Sequence, residues 1–112
     1  EPHYIYVTVK QGYNATHLRN QGVIVHTVSP EIFTLGLTSA TTTFGNTVPT
    51  YDRERTLCDV IRQRGAMDVQ TYQTAIREYM LHDHKNLPHL IRCSRALKVE
   101  DDVRRYLEVF LL

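Results

Sequence analysis

Thr47-Val48-Pro49-Thr50-Tyr51-Asp52-Arg53-Glu54-Arg55-Thr56-Leu57-Cys58-Asp59-Val60-Ile61 is the stretch in which the chain changes its period. Up to Tyr51 the apolar residues come in short β-branched and aromatic runs bounded by turn residues, the pattern of strands. After Asp52 they recur at the three-and-four spacing of helices. Strands first and helices after predict an α+β fold: a small, mainly antiparallel sheet of about four strands within residues 4–51, then about four packed helices within 52–112.

Working back from this stretch, Thr38 to Phe44 and Thr47 to Tyr51 flank Gly45-Asn46. Glycine first in a two-residue loop suits a type II′ hairpin and makes these two strands antiparallel neighbours. Pro49 lacks a backbone donor, so its strand belongs at a sheet edge or bulge. Val23 to Val28 reads as another strand and Tyr4 to Val9 as the first, followed by the turn Lys10-Gln11-Gly12-Tyr13-Asn14. Residues 15–20 predict one helical turn. Ser29 as N-cap and Pro30 at the first helical position predict a second, ending near Gly36.

Working forward, a helix runs from about Asp52 to Gln63, with Asp52 and Glu54 in its positive first turn and Gly65 past its end. Asp68 caps a second, whose apolar stripe is Val69, Tyr72, Ala75, Ile76, Tyr79 and Met80. Asn86 caps a third, with Pro88 tolerated in its first turn and Leu87, Leu90, Ile91, Ser94 and Leu97 on one face. The last starts near Val99 and buries Val103, Tyr106, Leu107 and Phe110. The links between these helices are short, so sequential helices are expected to pack as neighbours against the sheet.

A chain of 112 residues, 42% apolar and 22% charged, suffices for one domain and one core, expected to span 1–112. The longest apolar stretches, Val23 to Val28 and Val109 to Leu112, fall far short of the roughly 20 residues that span a bilayer, so no membrane partner is expected. The opening Glu1-Pro2-His3 reads as a piece of a longer protein. Cys58 and Cys93, each among apolar residues, read as two buried free thiols, which points to a reducing, cytoplasmic setting. The sequon Asn14-Ala15-Thr16 is then a chance match.

Net charge is +1, unevenly spread: residues 1–50 hold only Lys10 and Arg19 against Glu1 and Glu31, and residues 51–112 hold the rest. Between His84 and Val99 there is no acid, so Lys85, Arg92, Arg95 and Lys98 give the third long helix an uncompensated positive face. Arg62 and Arg64 add two more cations at the end of the first. Such a face can attract phosphate backbones or an acidic partner, and can equally be a solvated surface. Arg104 and Arg105 have Glu108 and Asp101 at helical spacing, which should largely neutralise them.

Catalytic chemistry finds little footing. His82-Asp83-His84 with His89 resembles a metal site in composition, but residues 82 and 84 do not share a helix face, and a solvated helix junction explains the segment. Cys58 next to Asp59 invites a nucleophile reading, as does Cys93, but thiolate chemistry needs a group that lowers the thiol pKa, and on a mid-helix surface beside Leu57 and Ile61 a small core residue is the usual finding for Cys58. No phosphate-binding glycine loop, HExxH or GxSxG occurs. Asp52, Glu54 and Asp59 sit among arginines at pairing distance, as with Arg55 and Asp59, or Arg53 and Glu54. No catalytic residue, metal or cofactor is therefore assigned.

Tyr51-Asp52-Arg53-Glu54-Arg55-Thr56-Leu57-Cys58-Asp59-Val60-Ile61 resembles the YDxERTxCDxI signature of AbiEi-type antitoxins and their transcriptional-regulator relatives. Further collinear matches are Val7-Thr8-Val9 leading to Gly12-Tyr13-Asn14, Gly45-Asn46-Thr47-Val48, Lys85-Asn86-Leu87 and Val103-Arg104-Arg105-Tyr106-Leu107-Glu108-Val109. The resemblance implies the C-terminal antitoxin domain of a bacterial type IV toxin–antitoxin or abortive phage-infection regulator, counteracting a nucleotidyltransferase-like toxin and assisting repression of its own operon. It also implies an N-terminal winged-helix DNA-binding domain, absent from this sequence, as the main contact with operator DNA. Within the signature, Arg55 and Asp59 can tie helix to sheet, or Arg53, Arg55 and Arg62 can contact nucleic acid. The sequence does not separate these readings. Two alternatives stay open. One is a metal-dependent nuclease or nucleotide-processing domain using Asp52, Glu54, Asp59 and His82. The other is a plain scaffold or homodimer formed through an exposed apolar helix face, since edge strands and Phe110-Leu111-Leu112 need covering.

Overall fold

The computed structural model describes residues 6–111; the expected strand residues Tyr4 and Ile5, and Leu112 of the C-terminal run, lie outside them. The fold is α+β, with strands preceding the long helices. The chain divides into two compact units, Glu1–Leu35 and Gly36–Leu112.

In the first unit β1 (Tyr6–Lys10) pairs with β2 (Ile24–Val28), and α1 (Thr16–Asn20) lies between them in sequence. The pairing is parallel, with Val7 opposite Val25 and Val9 opposite Thr27. Parallel strands need a crossover of about a dozen residues, which Gln11 to Val23 provides. Asn14 starts α1: its side-chain oxygen accepts from the Thr16 N–H at 3.1 Å and the Thr16 hydroxyl at 2.7 Å. Val9, Ala15 and Val28 are buried, and α2 (Pro30–Thr34) packs on β1. Ser29 stands at its N-cap with extended backbone but makes no side-chain cap bond.

In the second unit β3 (Leu37–Thr41) and β4 (Thr47–Tyr51) form an antiparallel hairpin, Ser39 opposite Pro49. The four strands thus form two separate pairs, one parallel, where a single mainly antiparallel sheet was expected. Alternation within a strand gives its faces but not its partner, so this difference lay beyond the sequence pattern. The loop also differs from a two-residue turn. Thr42 N–H donates to Asn46 O at 2.7 Å and Gly45 N–H to Thr42 O at 2.9 Å. Thr43, Phe44 and Gly45 therefore make a three-residue loop, with Gly45 at φ +84 supplying the left-handed residue that closes it.

Four long helices follow: α3 (Arg53–Arg62), α4 (Val69–Met80), α5 (Leu87–Ala96) and α6 (Glu100–Leu111), with a 3₁₀ turn at Arg64–Ala66. The first three start on side-chain caps. Asp52 accepts from Arg55 N at 2.8 Å, Asp68 from Thr71 N at 3.1 Å and Asn86 from His89 N at 3.1 Å. Such caps satisfy otherwise orphaned donors and contribute about 1 kcal/mol each. The main packings are α3 with both α4 and α5, and α6 with both α4 and α5. Within the second unit the helices bury their apolar stripes against one another, while β3 and β4, rich in Thr and Ser, bury no residue. Leu57, Ile61, Met80, Leu90 and Val103 are all at most 3% exposed, each such side chain contributing about 1.5–3 kcal/mol. Of the expected α4 stripe, Val69 is instead exposed at the first helical position.

Lys98 ends α5 at φ +63. Its N–H donates to Arg95 O at 3.2 Å and that of Val99 to Ser94 O at 2.8 Å, a Schellman closure with lysine where glycine is usual. Lys98→Gly is expected to stabilise the chain by about 0.5–1 kcal/mol, relief of left-handed strain outweighing the freer unfolded backbone. A urea midpoint that does not rise, at constant slope, would contradict this.

Candidate functional site

The densest polar cluster lies where α3 begins, and the expected signature run builds it. Asp52 caps α3 through Oδ1, while its Oδ2 accepts from His89 Nε2 at 2.8 Å, across from α5. Glu54, 7% exposed, turns inward. Its Oε2 accepts from the Tyr79 hydroxyl of α4 at 2.8 Å and from the backbone N–H of Asn86, ahead of α5, at 3.1 Å. Two carboxylates at one helix start thereby fasten α3 to both its neighbours. Burial, then the bond to Glu54, pushes the Tyr79 hydroxyl well above its usual range, so it stays a donor.

Arg55 is wholly buried. Its Nε donates to Asp59 Oδ2 at 3.0 Å and its guanidinium stands 4.0 Å from the centre of the Tyr51 ring. Arg55 thus pairs with Asp59 along α3 and offers no exposed surface to nucleic acid, whereas Arg53 and Arg62, the other two cations named with it, are exposed. Glu54 does not pair with Arg53, its sequence neighbour; it reaches Tyr79 and Asn86 instead.

Three potential ligand atoms, from Asp52, Glu54 and His89, lie within 4.8 Å of one another. A divalent cation there would have to displace the His89–Asp52 hydrogen bond. His82 and His84, the histidines that made the sequence cluster look metal-like, bond to each other's neighbourhood instead: His84 N–H donates to His82 Nδ1 at 3.0 Å, and the Lys85 ammonium to His82 O. His89 was separated from Asp52 by 37 positions, and only its place in the first turn after the Asn86 cap hinted at an inward role.

Cys58 and Cys93 are buried free thiols. Burial, with the other thiol and Asp59 adding to it, pushes Cys58 up to about 12. Burial, with Asp52 next, pushes Cys93 up to about 11. Although Cys93 Sγ lies 3.6 Å from His89 Nε2, neither sulfur is poised as a thiolate near neutral pH.

The expected cationic face is only partly available. Arg95 pairs with Glu100 at 3.1 Å and Arg64 with Asp102 at 3.2 Å, both acids standing on α6 and invisible to helical spacing. Arg104 pairs with Glu100 and Arg105 with Asp102, in place of the expected Glu108 and Asp101. The Arg104 hydrogen bond, against desolvation and with help from Arg95, holds Glu100 below the usual carboxylate range. Burial pushes the Asp102 carboxyl up, but bonds from Arg105 and Arg64 outweigh it and leave it low. Arg53, Arg62, Arg92 and Lys98 are exposed, and among the described residues no carboxylate pairs with them. Beside Arg53 a groove of about 360 Å³ opens between α3 and α4, lined by Tyr51, Thr56, Leu57, Tyr79 and His82.

No helix among the described residues is long and apolar enough to cross a membrane. No protein-family model and no curated protein matches the chain.

Proposed function

We propose that the chain is a binding and regulatory module: the C-terminal antitoxin domain of an AbiEi-type regulator, which opposes a nucleotidyltransferase-like toxin in the bacterial cytoplasm and assists repression of its own operon. One observation supports this most. The polar side chains of the signature-like run are engaged within the fold: Asp52 to His89 and Glu54 to Tyr79 and Asn86 fasten α3 to α5 and α4, and Arg55 pairs with Asp59 along α3 itself. A run used this way makes a rigid platform, and recognition falls to the cations left outside it, Arg53, Arg62, Arg92 and Lys98. Contact with operator DNA would come chiefly from the winged helix expected ahead of this segment.

The alternative, a metal-dependent nuclease or nucleotide-processing domain, draws on the approach of Asp52, Glu54 and His89 within 4.8 Å. Asp59 and His82, its other candidates, are engaged elsewhere.

Co-expression with the nucleotidyltransferase-like toxin should restore growth. Reversing Arg53, Arg62, Arg92 and Lys98 to Glu should abolish rescue or operator binding while leaving the circular dichroism unchanged. If nucleic acid is the target, each lost phosphate contact lowers the slope of log K against log salt by about 0.9. Rescue and operator binding that both survive the reversal in a folded protein would remove the cationic surface from the reading. Cation-dependent turnover of DNA, RNA or nucleotides, lost in Asp52→Asn, would replace the antitoxin reading with the enzymatic one.

A further inference from the structure

The hairpin of the second unit takes no part in the polar cluster's fastening of the helices, beyond Tyr51 at its end. Every residue of β3 is exposed, as are Thr47, Val48, Pro49 and Thr50 of β4. Among the described residues neither strand pairs with any strand but the other. An isolated two-stranded ribbon is marginal in water, because it buries too little apolar surface to offset the ordering of its backbone.

The register identifies which edge is open. Asp52 N–H donates to Gly36 O at 2.9 Å and Thr42 N–H to Asn46 O at 2.7 Å, which puts the even-numbered positions of β3 in the hydrogen-bonded pairs. The backbone groups of Leu37, Ser39 and Thr41 therefore point away from β4, and those of Pro49 point away from β3. Pro49 has no N–H, so the β4 edge lacks its central donor. The β3 edge is unbroken. Exposed edges that stay single are protected by lysine, proline or a bulge, and β3 has none of these: from Ile32 to Tyr51 the chain carries no charged side chain.

We infer that β3 is a self-association edge, on which two copies of the chain pair β3 with β3 antiparallel about a two-fold axis at Ser39. The product is a four-stranded sheet in the order β4-β3-β3-β4. In this register Ser39 faces Ser39 of the second copy, and Leu37 and Thr41 face each other twice. All three are outward positions, so each pair exchanges both of its N–H···O bonds. The contact is isologous and self-complementary, as a two-fold interface requires. A second copy meets no like-charge repulsion there, whereas a phosphate backbone finds no cation on this segment to hold it. The edge is short, which places the dimer in the weak, concentration-dependent class. The inference stands apart from the antitoxin reading.

Sedimentation equilibrium of the chain up to about 1 mM, alongside Ser39→Pro and Ser39→Lys, tests it. The Ser39 N–H is not used in the β3–β4 ladder, so proline removes the outward donor without taking a bond from that ladder; lysine sets two like charges on the axis. The average mass of the unsubstituted chain should rise with concentration from 13.0 kDa towards twice that value. Both variants should remain monomeric with unchanged circular dichroism. A chain that stays monomeric throughout overturns the inference, and so does a Ser39→Lys variant that associates as well as the original.

Discussion

Arg55→Met should lower the unfolding free energy by about 3 kcal/mol, the lower end of the range for removing one partner of a buried ion pair. The lower end applies because Arg55 has a fully buried side chain whereas that of Asp59 is 17% exposed, so water can partly solvate the carboxylate left behind. Methionine keeps much of the packing volume, but not the donor to Asp59 or the cation 4.0 Å from the Tyr51 ring. Arg55→Met with Asp59→Leu should recover part of the loss, since no charge is then left without this partner. Urea unfolding of the two variants at constant slope measures both. A single variant costing under about 1 kcal/mol, or a double variant less stable than the single one, would show that the pair is not what holds this helix start.

The same residue shows how much of the site could be read in the sequence. Arg55 and Asp59 are four apart, so their pairing was one of two local readings, and the helix caps Asp52, Asp68 and Asn86 were legible for the same reason: cap and donor lie within one turn. Contacts across the fold left no such trace. Glu54 reaches Tyr79 and Asn86, Asp52 reaches His89, and Arg64 and Arg95 find Asp102 and Glu100 on a later helix. A charge count along α5 therefore overstated its free cations, because compensation came from outside the helix. The Lys98 closure was hidden by the absence of glycine, and the parallel pairing of β1 with β2 by the similar apolar character of the strands. What survived from sequence to structure was the change of period after Tyr51, which separates the strands from the four long helices.

Among the glycines of the second unit, Gly36 makes the tightest approach to its surroundings. Gly36 precedes β3 at φ +75, and a Cβ added there would lie 2.5 Å from Arg55 Cβ and 3.1 Å from Asp52 Oδ1. The first of these atoms is fixed by the backbone of α3 and cannot rotate away. Gly36→Ala must therefore lift the base of the hairpin off α3, which breaks the bond from Asp52 N–H to Gly36 O and disturbs the cap beneath it. Left-handed strain of about 1–2 kcal/mol adds to an overpacking cost of about 1–3 kcal/mol, giving an expected loss of about 3 kcal/mol or more. Gly45→Ala is the control, since Gly45 has φ +84 but nothing within 4 Å of its added Cβ. It should show the strain alone, about 1–2 kcal/mol. The difference between the two urea-derived values measures how tightly the strand entry is held against α3. If Gly36→Ala costs no more than Gly45→Ala, that contact does not exist in solution, and the hairpin is joined to the helices only through the chain at Tyr51.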